Sequence, residues 1–197
     1  MAPVDPDDPD DPGDPVAAAF EAVPRAGFLP RLARGRAAYD GPIQIGQGQT
    51  NSQPRTVEAM LRLLEVTPGQ RVLDVGAGSG WTTALLARLV GPSGEVVGVE
   101  LEPDLVRFGA ANLARTDQPW ASIRKARDGV LGWPDAAPYD RVLVSAEPAT
   151  LPDALVEQVA DGGRMVIPVD GTMLLVVRRG DGVEVTRHGG YRFVPLR

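Results

Sequence analysis

The sequence predicts a doubly wound α/β domain with a mostly parallel sheet and an antiparallel C-terminal edge. Apolar, strand-like runs alternate with helical segments from residue 71 to residue 160, as successive βαβ units require. Glycines at alternate positions, Gly76, Gly78 and Gly80, join the first of these strands to the helix after it. Three closely spaced strand-like runs end the chain. A parallel crossover needs a dozen or more residues, so at least one pair of them forms a hairpin.

The first 15 residues, MAPVDPDDPDDPGDP, carry six Asp and no Lys or Arg, with proline at every third position from Pro3 to Pro15. Such a segment has nothing to bury and its charges repel, so residues 1–15 are expected to form a disordered acidic tail and residues 16–197 a single domain. A short helix is expected over 15–23, then a loop broken by Pro24, Gly27, Pro30, Gly35, Gly41 and Pro42. Ser52 or Thr50 is placed to cap a helix with Pro54 in its first turn. Val57, Met60, Leu61 and Leu64 give that helix one apolar face, and Thr67-Pro68-Gly69 ends it. Strands follow at 71–75, 95–100, weakly at 121–126, and at 141–146, with helices at 81–90, 103–114 and 152–160. The terminal strand-like runs are 164–169, 172–179 and 183–196.

Composition narrows the chemistry. The chain has 197 residues, no Cys and one His, His188, which excludes disulfides, thiolate zinc sites, a catalytic thiol and a multi-histidine metal site. No run of about 18 apolar residues is present, so no transmembrane helix is expected. No secretory signal is visible, which makes the cytoplasm the expected location. The formal net charge of −6 belongs to the tail: the remainder carries 20 acidic and 20 basic side chains. That balance argues against a nucleic-acid partner.

The strongest chemical signal is VLDVGAGSGW, residues 72–81. A dinucleotide fingerprint would place its third glycine at position 81, which is Trp81, so a pyrophosphate site is disfavoured. The turn Gly76-Ala77-Gly78-Ser79-Gly80 lets backbone approach a ligand, and the helix beyond offers free N–H groups. Asp74, at the lip of the turn, suits a ligand ammonium. Glu100, ending the next strand beside Leu101, suits vicinal ribose hydroxyls. Asp128-Gly129, beyond the third strand, suits an adenine amino group. An amino-acid end, a ribose and an adenine without a pyrophosphate describe S-adenosylmethionine. Trp81 is expected over the loop or cofactor, or in the core, and His188 in a structural or exposed position.

Four segments carry a more specific resemblance: AVPRAGFLP (22–30), PIQIGQGQTNSQPRTVEAMLRLLEV (42–66), DGVLGWPDAAPYDRVLVSAEP (128–148) and RFVPL (192–196). On these the chain resembles the protein-L-isoaspartate O-methyltransferases, with a Rossmann-like class I methyltransferase fold, from about Phe20 to Arg197. GQGQTNSQP is close to that family's G-x-G-Q-T-I-S-x-P. The resemblance implies methylation of the abnormal carboxylate of isoaspartyl residues, followed by collapse to a succinimide and partial return to aspartate. It implies Ser52 as the active-site serine, Thr50 near both cofactor and substrate, Asn51 and Gln53 at the substrate, and Val23-Pro24-Arg25 enclosing it. The implied partner is a peptide or protein bearing isoaspartate, with no membrane partner and a monomeric enzyme. A carboxylate nucleophile is already ionised at pH 7, so the chemistry asks for no general base.

Three departures bear on specificity. Asn51 stands where the family has Ile, and Arg55 where His or another ring is expected; exposure is the expectation for Arg55. Glu147 follows the strand at 141–146, where the family has a small residue, and would repel an anionic substrate unless paired, by Arg55 or Arg25. Two other readings stay open at this stage: methylation of a dedicated peptide in a biosynthetic pathway, and a non-catalytic cofactor-binding module.

Overall fold

The computed structural model describes residues 13–197. Its order is α1 (Pro15–Ala22), two 3-10 helices (Arg25–Phe28 and Arg31–Arg36), β1 (Ile43–Gly46), β2 (Gln49–Asn51), α2 (Pro54–Leu64), β3 (Arg71–Val75), α3 (Trp81–Val90), β4 (Glu95–Glu100), α4 (Pro103–Leu113), β5 (Ala121–Lys125), a 3-10 turn (Pro134–Ala136), β6 (Tyr139–Val144), α5 (Asp153–Val156), β7 (Val159–Val169), β8 (Thr172–Arg179) and β9 (Gly182–Gly190). The main sheet runs β5-β4-β3-β6-β7-β8-β9. Strands β3 to β7 pair in parallel, and β8 and β9 add antiparallel at the edge. Among the described residues no helix is long and apolar enough to cross a membrane.

The central strands are buried on both faces. Val72, Val96, Leu143 and Val166 pack with α1, α2 and α3, whereas Leu73, Val97, Val142 and Met165 pack on the opposite side with Tyr139 and Leu155. That two-sided burial explains why these strands read as continuous apolar runs. The order in which strands are added reverses at β3: β4 lies on one side and β6 on the other. The crevice beyond their carboxyl ends is where open α/β sheets bind ligands.

The expected tail falls mostly on residues 1–12, which lie outside the described residues. Its last residues belong to the fold. Asp14 Oδ1 accepts the N–H groups of Val16 and Ala17, capping α1, which starts at Pro15. Asp14 also pairs with Arg62 at 2.5 Å.

Several elements differ from expectation for tertiary reasons. The helix expected over 152–160 stops at Val156, because Val159 already pairs with Tyr139 and starts β7. The strand expected at 183–196 stops at Gly190, and residues beyond it turn back toward Glu147. The loop before α2 contains two 3-10 helices and the hairpin β1–β2, whose turn places Gly46, Gln47 and Gly48 at positive φ. Neither Ser52 nor Thr50 caps α2. Gln53 is the N-cap without a side-chain bond, and Asp40 Oδ1 accepts the N–H of Arg55 from outside the helix.

Candidate active site

A cleft enclosing about 890 Å³, open mouth included, lies at the carboxyl ends of β3, β4 and β6. Its floor is Gly76, Ala77, Gly78 and Ser79, with Glu100 and Leu101 on one side and Gln49, Thr50, Asn51 and Ser52 from the hairpin on another. The glycine turn is built by local necessity. Gly80 has φ +84°, and a Cβ there would stand 2.9 Å from the Gly109 carbonyl oxygen of α4. Only glycine permits that approach, so Gly80 seats the loop on α4 and does not line the cleft.

Glu100 is 7% exposed and receives the Gly78 N–H on Oε2 and the Glu102 N–H on Oε1, each at 2.9 Å. A carboxylate has about four acceptor positions, so two remain for ribose hydroxyls. Asp74 is fully buried under the loop, off the cleft wall. Its Oδ2 accepts from Thr82 Oγ1 at 2.8 Å and Thr83 Oγ1 at 2.7 Å, and its Oδ1 has no partner among the described residues. Burial pushes its pKa up to about 6; the two threonine hydroxyls oppose that rise and the Glu100 charge adds to it. Thr82 connects this carboxylate to the cleft wall.

Asp128 and Gly129 form a turn closed by Val130 N–H to the Arg127 carbonyl at 3.1 Å, with Gly129 at φ +73°. Both are exposed, and Ala126, Val130, Leu131 and Gly132 line the cleft in their place. The turn thus stands at the rim of the cleft, with small and apolar groups on either side of it lining the wall.

The segment expected to enclose the substrate has another task. Val23 and Pro24 line a separate groove with Asn112 and Trp120, and the Val23 carbonyl accepts the Trp81 indole N–H at 3.0 Å. Arg25 is 5% exposed. Its Nε donates to Asn51 Oδ1 at 2.5 Å, and its terminal nitrogens to the carbonyls of Ala37, Tyr39, Gly41, Asn51 and Ser52 at 2.8–3.4 Å. All its donors are thus committed to the protein, and burial lowers its pKa from the ordinary guanidinium value. Arg25 welds the loop at 37–41 to the Ser52 backbone. Gln53 likewise turns away, donating to the Asp40 carboxylate at 3.1 Å.

Ser52 lines the cleft, and its hydroxyl makes no hydrogen bond among the described residues. Asn51 lies beside it, 5% exposed, donating from Nδ2 to Ser79 Oγ at 3.0 Å. Trp81 is both core and wall: 3% exposed, edge-on to Phe20 at 5.4 Å, with Arg25 over its ring. Arg55 is 81% exposed and pairs with Asp40 at 3.2 Å. His188 sits on the edge strand β9, bonded to Thr186.

Glu147 overturns the expectation of a charge facing the substrate. Its oxygens accept the N–H groups of Gly171 and Phe193 at 2.6 and 3.0 Å, and it pairs with neither Arg55 nor Arg25. The residues it secures, Val194, Pro195, Leu196 and Arg197, line the cleft. Sequence reasoning missed this wall, because RFVPL reads as strand and nothing local shows that it folds back.

The lining suits S-adenosylmethionine: the glycine turn, with a buried carboxylate beneath it reached through Thr82, an acid with spare acceptor positions on β4, and an apolar end near Val130 and Leu131. A sequence model of the family described as Protein-L-isoaspartate(D-aspartate) O-methyltransferase (PCMT) matches residues 12–197. A protein-L-isoaspartate O-methyltransferase of Methanopyrus kandleri is 45% identical over 92% of this chain and 82% of its own length. One from Methanothrix thermoacetophila is 44% identical over 92% and 87%. A beta-aspartate methyltransferase (PCMT) structure from Plasmodium falciparum, in complex with S-adenosyl-L-homocysteine, superposes with a TM-score of 0.81 at 28% identity, over 93% of this chain and 90% of that one. Another protein-L-isoaspartate O-methyltransferase structure gives 0.83 at 25% identity, this chain spanning 61% of that one. With a family match over nearly its whole length and a glycine turn, acidic strand end and serine-bearing hairpin meeting in one cleft, this chain belongs to the protein-L-isoaspartate O-methyltransferase family.

Proposed function

We propose that this chain transfers a methyl group from S-adenosylmethionine to the free carboxylate of L-isoaspartyl residues in proteins or peptides, and so takes part in protein repair. One observation carries the assignment of roles: the Ser52 hydroxyl, on the cleft wall, makes no hydrogen bond among the described residues, because Asp40 and not Ser52 serves the amide at the start of α2. When bound, S-adenosylmethionine supplies a methyl group on a sulfonium that is already a good leaving group.

The protein's part is then positioning. An isoaspartyl carboxylate is ionised at pH 7 and needs no base. Ser52 donates to one of its oxygens and aims the other. Gly78, Ser79 and Glu100 hold the nucleoside and its amino-acid end, with Asp74 acting through Thr82 and Thr83 beneath the loop. Thr50 and Gln49 border the entry. A reacting pair held about 3–3.5 Å apart and away from water gains most of its rate from this ordering. The same reading has the chain act as a monomer in the cytoplasm. Both Glu147 oxygens are engaged by backbone amides, which supports an ordinary isoaspartyl peptide as the substrate.

The test is methyl transfer from labelled S-adenosylmethionine to one peptide made in isoaspartyl and in aspartyl form. Base-labile label in the isoaspartyl form alone is the expected result. Label in neither, with cofactor binding measured separately, would overturn the substrate assignment.

A further inference from the structure

Asn51 is buried between a cation and a hydroxyl, and the chemistry of its neighbours leaves one consistent arrangement of protons. Arg25 has donors only, so the Asn51 atom 2.5 Å from its Nε is the amide oxygen. The amide nitrogen then faces Ser79 Oγ at 3.0 Å and donates to it. With Oγ serving as acceptor toward Asn51, the Ser79 proton points elsewhere, and among the described residues it finds no protein acceptor. The Ser79 backbone cannot turn to supply one: Asn112 Nδ2 holds its carbonyl at 2.9 Å. Ser79 is 3% exposed and lines the cleft, so the remaining direction for its O–H is into the cleft.

We propose that Asn51 is a positioning residue that sets the proton of the Ser79 hydroxyl, so that Ser79 donates to the carboxylate at the amino-acid end of the bound sulfonium nucleoside. The proposal rests on the reading of the cleft given above. It explains what a polar side chain does between the loop and the hairpin. Asn51 converts the fixed donor character of Arg25 into a fixed donor character of Ser79, two hydrogen bonds away. The same side chain precedes Ser52, so the hydroxyl that holds the cofactor end and the hydroxyl that aims the substrate are tied through one amide.

Asn51→Asp is the informative variant. Its carboxylate keeps the contact with Arg25 but accepts from Ser79, reversing the hydroxyl so that lone pairs face the ligand. Binding of two probes is measured by calorimetry: S-adenosylhomocysteine, which has the amino-acid end, and 5′-methylthioadenosine, which lacks it. Ser79→Ala and N51D are each expected to weaken S-adenosylhomocysteine about tenfold, as loss of a hydrogen bond to a charged group does, and to change methylthioadenosine by less than about twofold. In the S79A background, N51D is expected to add less than about threefold. Equal losses for both probes, full additivity, or unchanged S-adenosylhomocysteine binding in S79A would each overturn the proposal. S79A alone decides if N51D fails to fold. Wild-type protein that binds neither probe would instead overturn the reading of the cleft itself.

Discussion

The Glu147 carboxylate accepts the N–H of Phe193 at 3.0 Å, so the end of β6 holds the C-terminal segment against the cleft. Main-chain bonds repeat the link: Glu147 N–H to the Val194 carbonyl at 2.8 Å, and Leu196 N–H to the Glu147 carbonyl at 2.9 Å. Arg197 then pairs with Glu102 at 2.7 Å, just past β4. The segment therefore crosses the mouth from the end of β6 to the end of β4 and is fastened on both sides.

Glu147→Ala removes two charge-assisted bonds to backbone amides, each contributing about 1.5–3 kcal/mol. The wall over the cleft should loosen while Ser52 and the glycine turn stay in place. Stopped-flow measurement should find S-adenosylhomocysteine dissociating about tenfold faster, with the preference for isoaspartyl over aspartyl peptide unchanged. A changed peptide preference would return Glu147 to the substrate pocket.

Ser52→Ala deletes a hydroxyl that supports no helix cap and makes no hydrogen bond among the described residues. Cofactor affinity and thermal midpoint should stay near wild type. The transfer rate on isoaspartyl peptide should fall about 10–100-fold, the loss of one hydrogen bond to a charged group. Parallel loss of cofactor binding and rate would remove Ser52 from substrate positioning.

Arg25→Met takes a donor from the buried or half-buried carbonyls of Ala37, Gly41, Asn51 and Ser52, and from that of Tyr39, which keeps the Gly41 N–H. With about 1–3 kcal/mol for each acceptor left unpaired, some of which water will reach, the variant should lose at least about 3 kcal/mol in denaturant unfolding. Arg25→Lys should recover only part, because an ammonium cannot reproduce the planar fork. A loss below about 1 kcal/mol for Met would refute the structural role.

Asp74 makes stability depend on pH. Its folded pKa of about 6 lies above the ordinary carboxyl value near 4, so the fold binds this proton more tightly than the unfolded chain does. Stability attributable to Asp74 is present below about pH 4 and is lost as pH rises through about 6. Two pH units correspond to about 3 kcal/mol. Asp74→Asn, without ligand, should be stabilised by up to that amount at pH 8 relative to wild type and by little at pH 4. An equal effect at both values would show that charge is not the cause.

Local pattern made much of the fold legible. The strands 71–75 and 95–100 and the helix 81–90 match expectation to the residue, because apolar runs bounded by glycine or a charged end report burial directly. The cleft residues Gly76, Ala77, Gly78, Ser79 and Glu100 were legible from local pattern too, each at a strand end or tight turn, whereas Thr50 and Ser52 were read from the resemblance to the family. The short α5 was not, because its C-terminal half reads as helix until Val159 finds Tyr139 across the sheet.

By itself, then, the sequence determined the α/β class, the family and the residues that floor the cleft, since these depend on contacts between near neighbours. Only the tertiary structure decided what Arg25 and Glu147 do. Arg25 meets Asn51 across 26 positions and Glu147 meets Phe193 across 46, and each was read from sequence as facing a substrate. A charge that folding buries in whole or in part takes its role from the polar groups brought to it, and here those groups are mainly backbone carbonyls and amides from distant segments.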